Sequence, residues 1–244
     1  MTALLAHTRI ELALALRKGE TLLLTVGIPV LFLIFFSSVD VISVPTATSV
    51  AFLYPGIVAL SILSSAFVSP SIATGFERGY GALARLQATP LGKGRLLLAK
   101  SISVMVVELL QLGIMSAVAV ALGYHLPSRT SGAEVVSIIG LIVLATISFG
   151  GLAFLCAGHL RMEVNLAASN GLYLVLLLIS GMVVPLSKLG GLAPVAKLLP
   201  TTALSEGLHA VLSFGQPVSV QSWSVLCFWA IATPLLALRY FRFE

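Results

Sequence analysis

An all-α integral membrane protein with six transmembrane helices is the fold class this sequence predicts, and three observations predict it. Hydrophobic residues make up 58% of the 244 residues against 9% charged, a balance that no water-facing surface of this size tolerates. Thr21 to Val39 runs without a charge. Five further apolar tracts of comparable length follow it. A hydrocarbon core about 30 Å thick takes roughly 20 helical residues to cross, and backbone groups at that depth must pair within their own segment. The tracts therefore read as helices, since a barrel would show short alternating stretches instead.

In order, the spans are expected near 21–39, 48–72, 98–122, 135–157, 166–186 and 218–238 of a single transmembrane domain covering 1–244. An even count returns both termini to one side. Lys and Arg are retained in short cytoplasmic loops. Cytoplasmic termini collect Arg9, Arg17, Lys18, Arg78, Arg85, Lys93, Arg95, Lys100, Arg161, Arg239 and Arg242 on the inner side, and leave only Arg129, Lys188 and Lys197 outside. Residues 1–20 read as an interfacial helix with Leu5, Leu12 and Leu16 on one face. Glu11 and Glu20 interrupt this segment and no small-residue cleavage site follows the apolar run, unlike a removable signal.

Cys156 and Cys227 fall inside spans, so no disulfide framework is expected. The net charge of +5 sits where insertion and anionic headgroups favour it, and it calls for no nucleic-acid partner. Gly113, Gly150, Gly151, Gly158, Gly171 and Gly181 predict close helix approach.

Two segments do more than anchor. Residues 73–95 form a cytoplasmic loop expected to be a short amphipathic helix, with Phe76, Tyr80, Leu83 and Leu86 on one side and Arg78 and Arg85 on the other, stopped by Pro90, Gly92 and Gly94. It reads as a docking element, with Phe76 and Tyr80 entering a partner's groove while Glu77 and Arg78 engage its rim. Residues 185–214 carry Pro185, Gly190, Gly191, Pro194 and Pro200, which divide them into apolar pieces near 189–199 and 202–214, each about half a span long. They are expected as two re-entrant helices forming an outer lid. Thr201 or Thr202 would cap the second, with Glu206 near its positive end.

Charge inside the bilayer is costly enough to mark a functional candidate. Glu108 is the one placed well within a span. Gln111 shares its face, and Lys100, two turns earlier, reaches it only if both side chains extend. Glu108 reads either as a carboxyl hydrogen-bonded to a neighbouring helix or as part of a pathway or proton-coupled step. The turn holding His159, Arg161, Glu163 and Asn165 reads as solvated.

This order of parts resembles the membrane subunit of an ABC type-2 exporter of the bacterial multidrug or lipid export type. The resemblance is carried by Glu77-Arg78-Gly79, then Leu83, Arg85, Leu86 and Thr89-Pro90-Leu91, similar to that family's coupling loop. Leu199-Pro200-Thr201-Thr202 with Leu208 is similar to its proline-led re-entrant helix. Tyr80, Gly81 and Ala82 depart from the small hydroxyl residue and acid common after the loop glycine. The resemblance implies a plasma-membrane permease for a hydrophobic or amphiphilic substrate. It also implies pairing with a second permease subunit as homodimer or heterodimer, and two copies of an ATPase subunit that bind ATP and Mg. This chain is expected to be no enzyme and to bind no cofactor or metal itself. It has no G-x-x-x-x-G-K-[ST] phosphate loop, because Gly92-Lys93-Gly94 lacks the hydroxyl and the leading glycine spacing.

Two other classes fit less well. A secondary transporter with Glu108 as proton site would show internal repeats with interrupted spans. A lipid-processing enzyme would cluster catalytic groups at one depth, whereas His7, His125, His159 and His209 scatter.

Overall fold

The computed structural model describes all residues except 1, 18–22, 39–47, 88–91, 183–185, 187–188 and 243–244. Helix α1 is Thr2–Arg17. The first apolar tract is a π-helical turn, Leu23–Gly27, leading into α2, Ile28–Ser38. The second is a continuous rod, Ser49–Gly79, made of α3 (Ser49–Leu63), another π-helical turn (Ser64–Val68) and α4 (Ser69–Gly79). Short α5, Ala82–Gln87, precedes α6, Gly92–Ala121. Then come α7 (Gly132–His159), α8 (Met162–Ile179), α9 (Ala193–Ala196), α10 (Pro200–Leu212) and α11 (Val220–Tyr240).

Among the described residues five helices are long and apolar enough to cross a bilayer: Ser49–Gly79, Gly94–Ala121, Gly132–His159, Met162–Ile179 and Val220–Tyr240. Thr25–Ser37 is a shorter apolar helix in the place of the first span. The protein is an all-α integral membrane protein, with elements where the apolar tracts place them.

Local chemistry sets the ends. Thr48 caps α3 by accepting from the Ala51 N–H. Ser131 and Glu134 form a capping box that starts α7, and Ser219 caps α11 through the Ser222 N–H at 3.1 Å. Helix α8 lies earlier than the expected 166–186, because Gly181 at φ +77° takes the left-handed conformation that closes a helix.

Helix α7 is the hub, packing against α3, α4, α6, α8, α10 and α11. Lipid tails are as apolar as leucine, so helices in a bilayer associate through close packing and hydrogen bonds rather than water exclusion. The glycines of α7 show how. A Cβ on Gly140 would meet the Trp223 ring at 2.8 Å, one on Gly151 the Pro234 backbone nitrogen at 2.7 Å, and one on Gly158 the Phe241 ring at 2.8 Å. These three positions let α11 lie directly on the α7 backbone. Gly113 and Gly171 have nothing within 4 Å of such a Cβ, so the close approach expected there is not made among the described residues.

The re-entrant segment divides as the prolines and glycines predict, into a 3-10 turn at Gly190–Leu192 with α9, and then α10. Helix α10 packs among α3, α7 and α11. Its start corrects the expected cap. Leu199 is the N-cap and Pro200 the first helical residue, since proline's fixed φ and missing N–H suit that position. Thr201 and Thr202 are therefore helical and fully buried, and Glu206 lies beyond the first turn.

Candidate functional site

The Gly79 end of the rod is the first candidate. The expected single amphipathic helix over 73–95 is not formed. Phe76, Glu77, Arg78 and Gly79 belong to the end of α4, and the chain then turns at Tyr80 and Gly81. Gly81 takes φ +70°, a conformation costly for any residue with a Cβ. Leu83 lies in a separate helix, α5, and is fully buried, in a cluster with Leu96, Leu97, Phe154 and Phe241. Leu86 lies in α5, and Thr89, Pro90 and Leu91 fall outside the described residues. Gly92 and Gly94 open α6 instead of stopping a helix.

What projects from this elbow is Tyr80, 69% exposed, its ring stacked on Phe76 at 6.0 Å between centroids. Gly79 and Arg85 are also exposed. Glu77 and Arg78, expected at a partner's rim, bond within the chain. Glu77 pairs with Lys100 of α6 at 2.8 Å, and Arg78 Nη2 donates to the Leu160 carbonyl at 2.6 Å. Both use their polar ends to hold the elbow against the rest of the chain.

Lys100, expected to reach Glu108 only if both side chains extend, bonds elsewhere. Instead of reaching toward Glu108, its buried ammonium also pairs with Glu11 of α1 at 2.9 Å. One cation thus joins three elements: α1, the end of the rod, and the start of α6. His7 lies 3.2 Å from the same Glu11 carboxylate, so α1 turns His7 and Glu11 toward α6 while Leu5, Ile10 and Leu14 stay exposed.

The first turns of α8 grip the rod from the other side. Asn165 is fully buried rather than solvated. Its Nδ2 donates to the Ser71 carbonyl at 2.7 Å, and Ser71 Oγ lies 3.1 Å from Asn165 Oδ1 and 2.8 Å from Ser169 Oγ. The rod passes close enough that a Cβ on Gly75 would fall 2.5 Å from Asn165 Nδ2. A push on Tyr80 would therefore be felt by α1, α6 and α8 through directional bonds.

The second candidate is at mid-span. Glu108 is fully buried, as is Gln111. Thr146 Oγ1 lies 2.6 Å from Glu108 Oε2, and Ser65 Oγ lies 3.4 Å from both Glu108 Oε1 and Gln111 Oε1. Gln111 Nε2 donates to the Thr25 carbonyl at 2.7 Å. Thr25 and Ser65 sit in the two π-helical turns, a distortion that interrupts the regular helical ladder and recurs at functional sites. Nothing in the hydrophobic pattern marks Thr25, Ser65 or Thr146 as partners.

Toward the other end of α6 a cavity of about 350 Å³ opens between α3, α6 and α7, lined by Tyr54, Leu109, Leu112, Ser116, Tyr124 and Ile142 among others. Tyr54 and Ser116 hydroxyls meet at 2.7 Å, and Tyr124 donates to the Leu212 carbonyl of α10 at 2.7 Å. The remaining wall is almost wholly apolar.

In the segment that carries α9 and α10, Pro194 is exposed and Pro200 buried. Glu206 is pushed above the usual carboxylate range by partial burial, with Lys197 pulling the other way. The His209 imidazole is held below its ordinary range by burial, against the Ser205 and Phe52 backbone groups that favour its charged form. No group of three or more His, Cys, Asp or Glu placed to hold a metal occurs among the described residues.

A comparison with curated proteins finds no match. The family model of the ABC-2 type transporter matches residues 2–213, which takes in α1, the elbow, the polar cluster at mid-span and the re-entrant helix. With its apolar spans and their order, this chain belongs to the ABC-2 type transporter family, as an integral-membrane ABC permease.

Proposed function

We propose that this chain forms the translocation pathway of an exporter in a bacterial plasma membrane, with both termini cytoplasmic. It moves a hydrophobic or amphiphilic substrate, a drug or a lipid, and takes its energy from two copies of a separate ATPase subunit that binds ATP and Mg. It pairs with a second permease subunit, a copy of itself or a different chain. The observation that carries this reading is Tyr80: a large aromatic ring held out at the tip of a continuous helical rod, on the side that the Lys and Arg distribution makes cytoplasmic.

The rod makes mechanical sense of the position. Closure of nucleotide-bound partners, pressing on Tyr80 and Phe76, would move an element locked to α1 and α6 by Lys100 and to α8 by Asn165. ATP then acts as a ligand with different affinities for two arrangements of the assembly, and shifts the permease between them. The apolar character of the spans and of the cavity wall supports an oily cargo over a sugar or an ion.

The test is affinity purification in mild detergent, followed by identification of any soluble ATPase that co-purifies. Tyr80→Ala should release it. The double variant Glu77→Ala with Arg78→Ala should weaken it too, by loosening the elbow, with a lower melting temperature of the permease itself as the distinguishing sign.

A further inference from the structure

The surroundings of Glu108 can be counted proton by proton. A hydroxyl has one proton to give. Ser65 Oγ lies 2.7 Å from the Ser61 carbonyl and 3.4 Å from Glu108 Oε1, so its proton belongs to Ser61. Thr146 Oγ1 has two claimants, Glu108 Oε2 at 2.6 Å and the Ile142 carbonyl at 2.9 Å. An ionised Glu108 would take the Thr146 proton and, among the described residues, have no other short hydrogen bond.

Among the described residues it would also have no counter-charge. Ser65 faces it from the rod, Thr146 from α7 and Gln111 from its own helix, while the Thr25 carbonyl of the first tract is occupied by Gln111; none of these carries a charge. Lys100 stands eight residues away, about 12 Å along the helix, and is engaged by Glu11 and Glu77. A buried carboxylate without a partner costs far more than one hydrogen bond returns. With a proton on Glu108 each of the three hydroxyl protons has its own acceptor. Glu108 donates to Thr146 Oγ1 at a length ordinary for O–H···O, Thr146 donates to Ile142, and Ser65 to Ser61.

We propose that Glu108 is a proton-binding site: a neutral carboxylic acid whose donated hydrogen bond to Thr146 fastens the third span to the fourth, beside the π-helical turns Leu23–Gly27 and Ser64–Val68. This goes beyond the export reading and does not depend on it. A motion that parts α6 from α7 and admits water releases the proton. Because the proton binds the fastened arrangement better, low pH favours that arrangement and high pH the parted one.

Infrared spectroscopy of the full chain in lipid nanodiscs, grown with carboxyl-labelled glutamate, reads this directly. Subtracting the Glu108→Gln spectrum should leave, at neutral pH, the carbonyl band of a protonated acid, and Thr146→Val should move that band to higher frequency by removing its acceptor. Glu108→Gln keeps a donor in the same place. Should it nonetheless fail to fold, the isotope-shifted acid band of the native chain, and its displacement in Thr146→Val, give the answer alone. Carboxylate bands only at neutral pH, or an acid band unmoved by Thr146→Val, would overturn the proposal.

Discussion

The ammonium of Lys100 lies 2.8 Å from the carboxylate of Glu77, so the start of the third span is fastened to the last turn of the rod that carries Tyr80. Glu11 completes the arrangement from α1 at 2.9 Å. Two carboxylates sharing one cation repel each other as soon as the cation is removed.

Lys100→Met should therefore lower the stability of the purified protein by about 2 kcal/mol, less than a fully buried pair would cost because Glu77 is partly exposed. Thermal unfolding in detergent measures it. Lys100→Arg, which keeps the charge, should recover most of the loss.

The glycine contacts yield a contrast within one helix type. Gly151→Ala and Gly75→Ala each place a Cβ against atoms that cannot retreat freely, and should cost about 1–3 kcal/mol as overpacking. Gly113→Ala and Gly171→Ala meet open space and should stay within about 0.5 kcal/mol. The same melting assay separates the two pairs.

For His209 the sign runs through burial. The folded protein favours the neutral ring, so its contribution is complete above the ordinary value of 6.5. It is lost as pH falls from there toward the depressed folded value. Melting temperature should drop over that window, and His209→Phe, which keeps the packing on Phe52, should flatten the drop.

Val195 and Leu198 are exposed residues of the re-entrant segment. Single cysteines there, in a chain with Cys156 and Cys227 replaced, should react with an impermeant thiol reagent added outside intact cells. Labelling only after the inner face is opened would reverse the topology.

How much of this could be read from the residues alone follows from range. The apolar tracts announced the spans because hydropathy is a local signal, and Pro194 and Pro200 announced the broken outer segment for the same reason. Lys100 with Glu11, Thr146 with Glu108 and Asn165 with Ser71 are separated by 89, 38 and 94 positions respectively. In a bilayer-embedded bundle hydrophobic periodicity does not say which face meets which, because lipid and neighbouring helix ask for the same side chains. The elbow was misread for a related reason. Phe76, Tyr80 and Leu83 fit one helical face, and Gly81 was the sign that the helix stops between them.

The most direct test of the central claim is reconstitution into lipid vesicles with a fluorescent amphiphile as cargo. With its ATPase partner present, uptake or release should require ATP hydrolysis, and Tyr80→Ala should weaken partner binding about tenfold or more, as an interfacial aromatic anchor does. Cargo movement by this chain in vesicles that contain no ATPase would contradict the account.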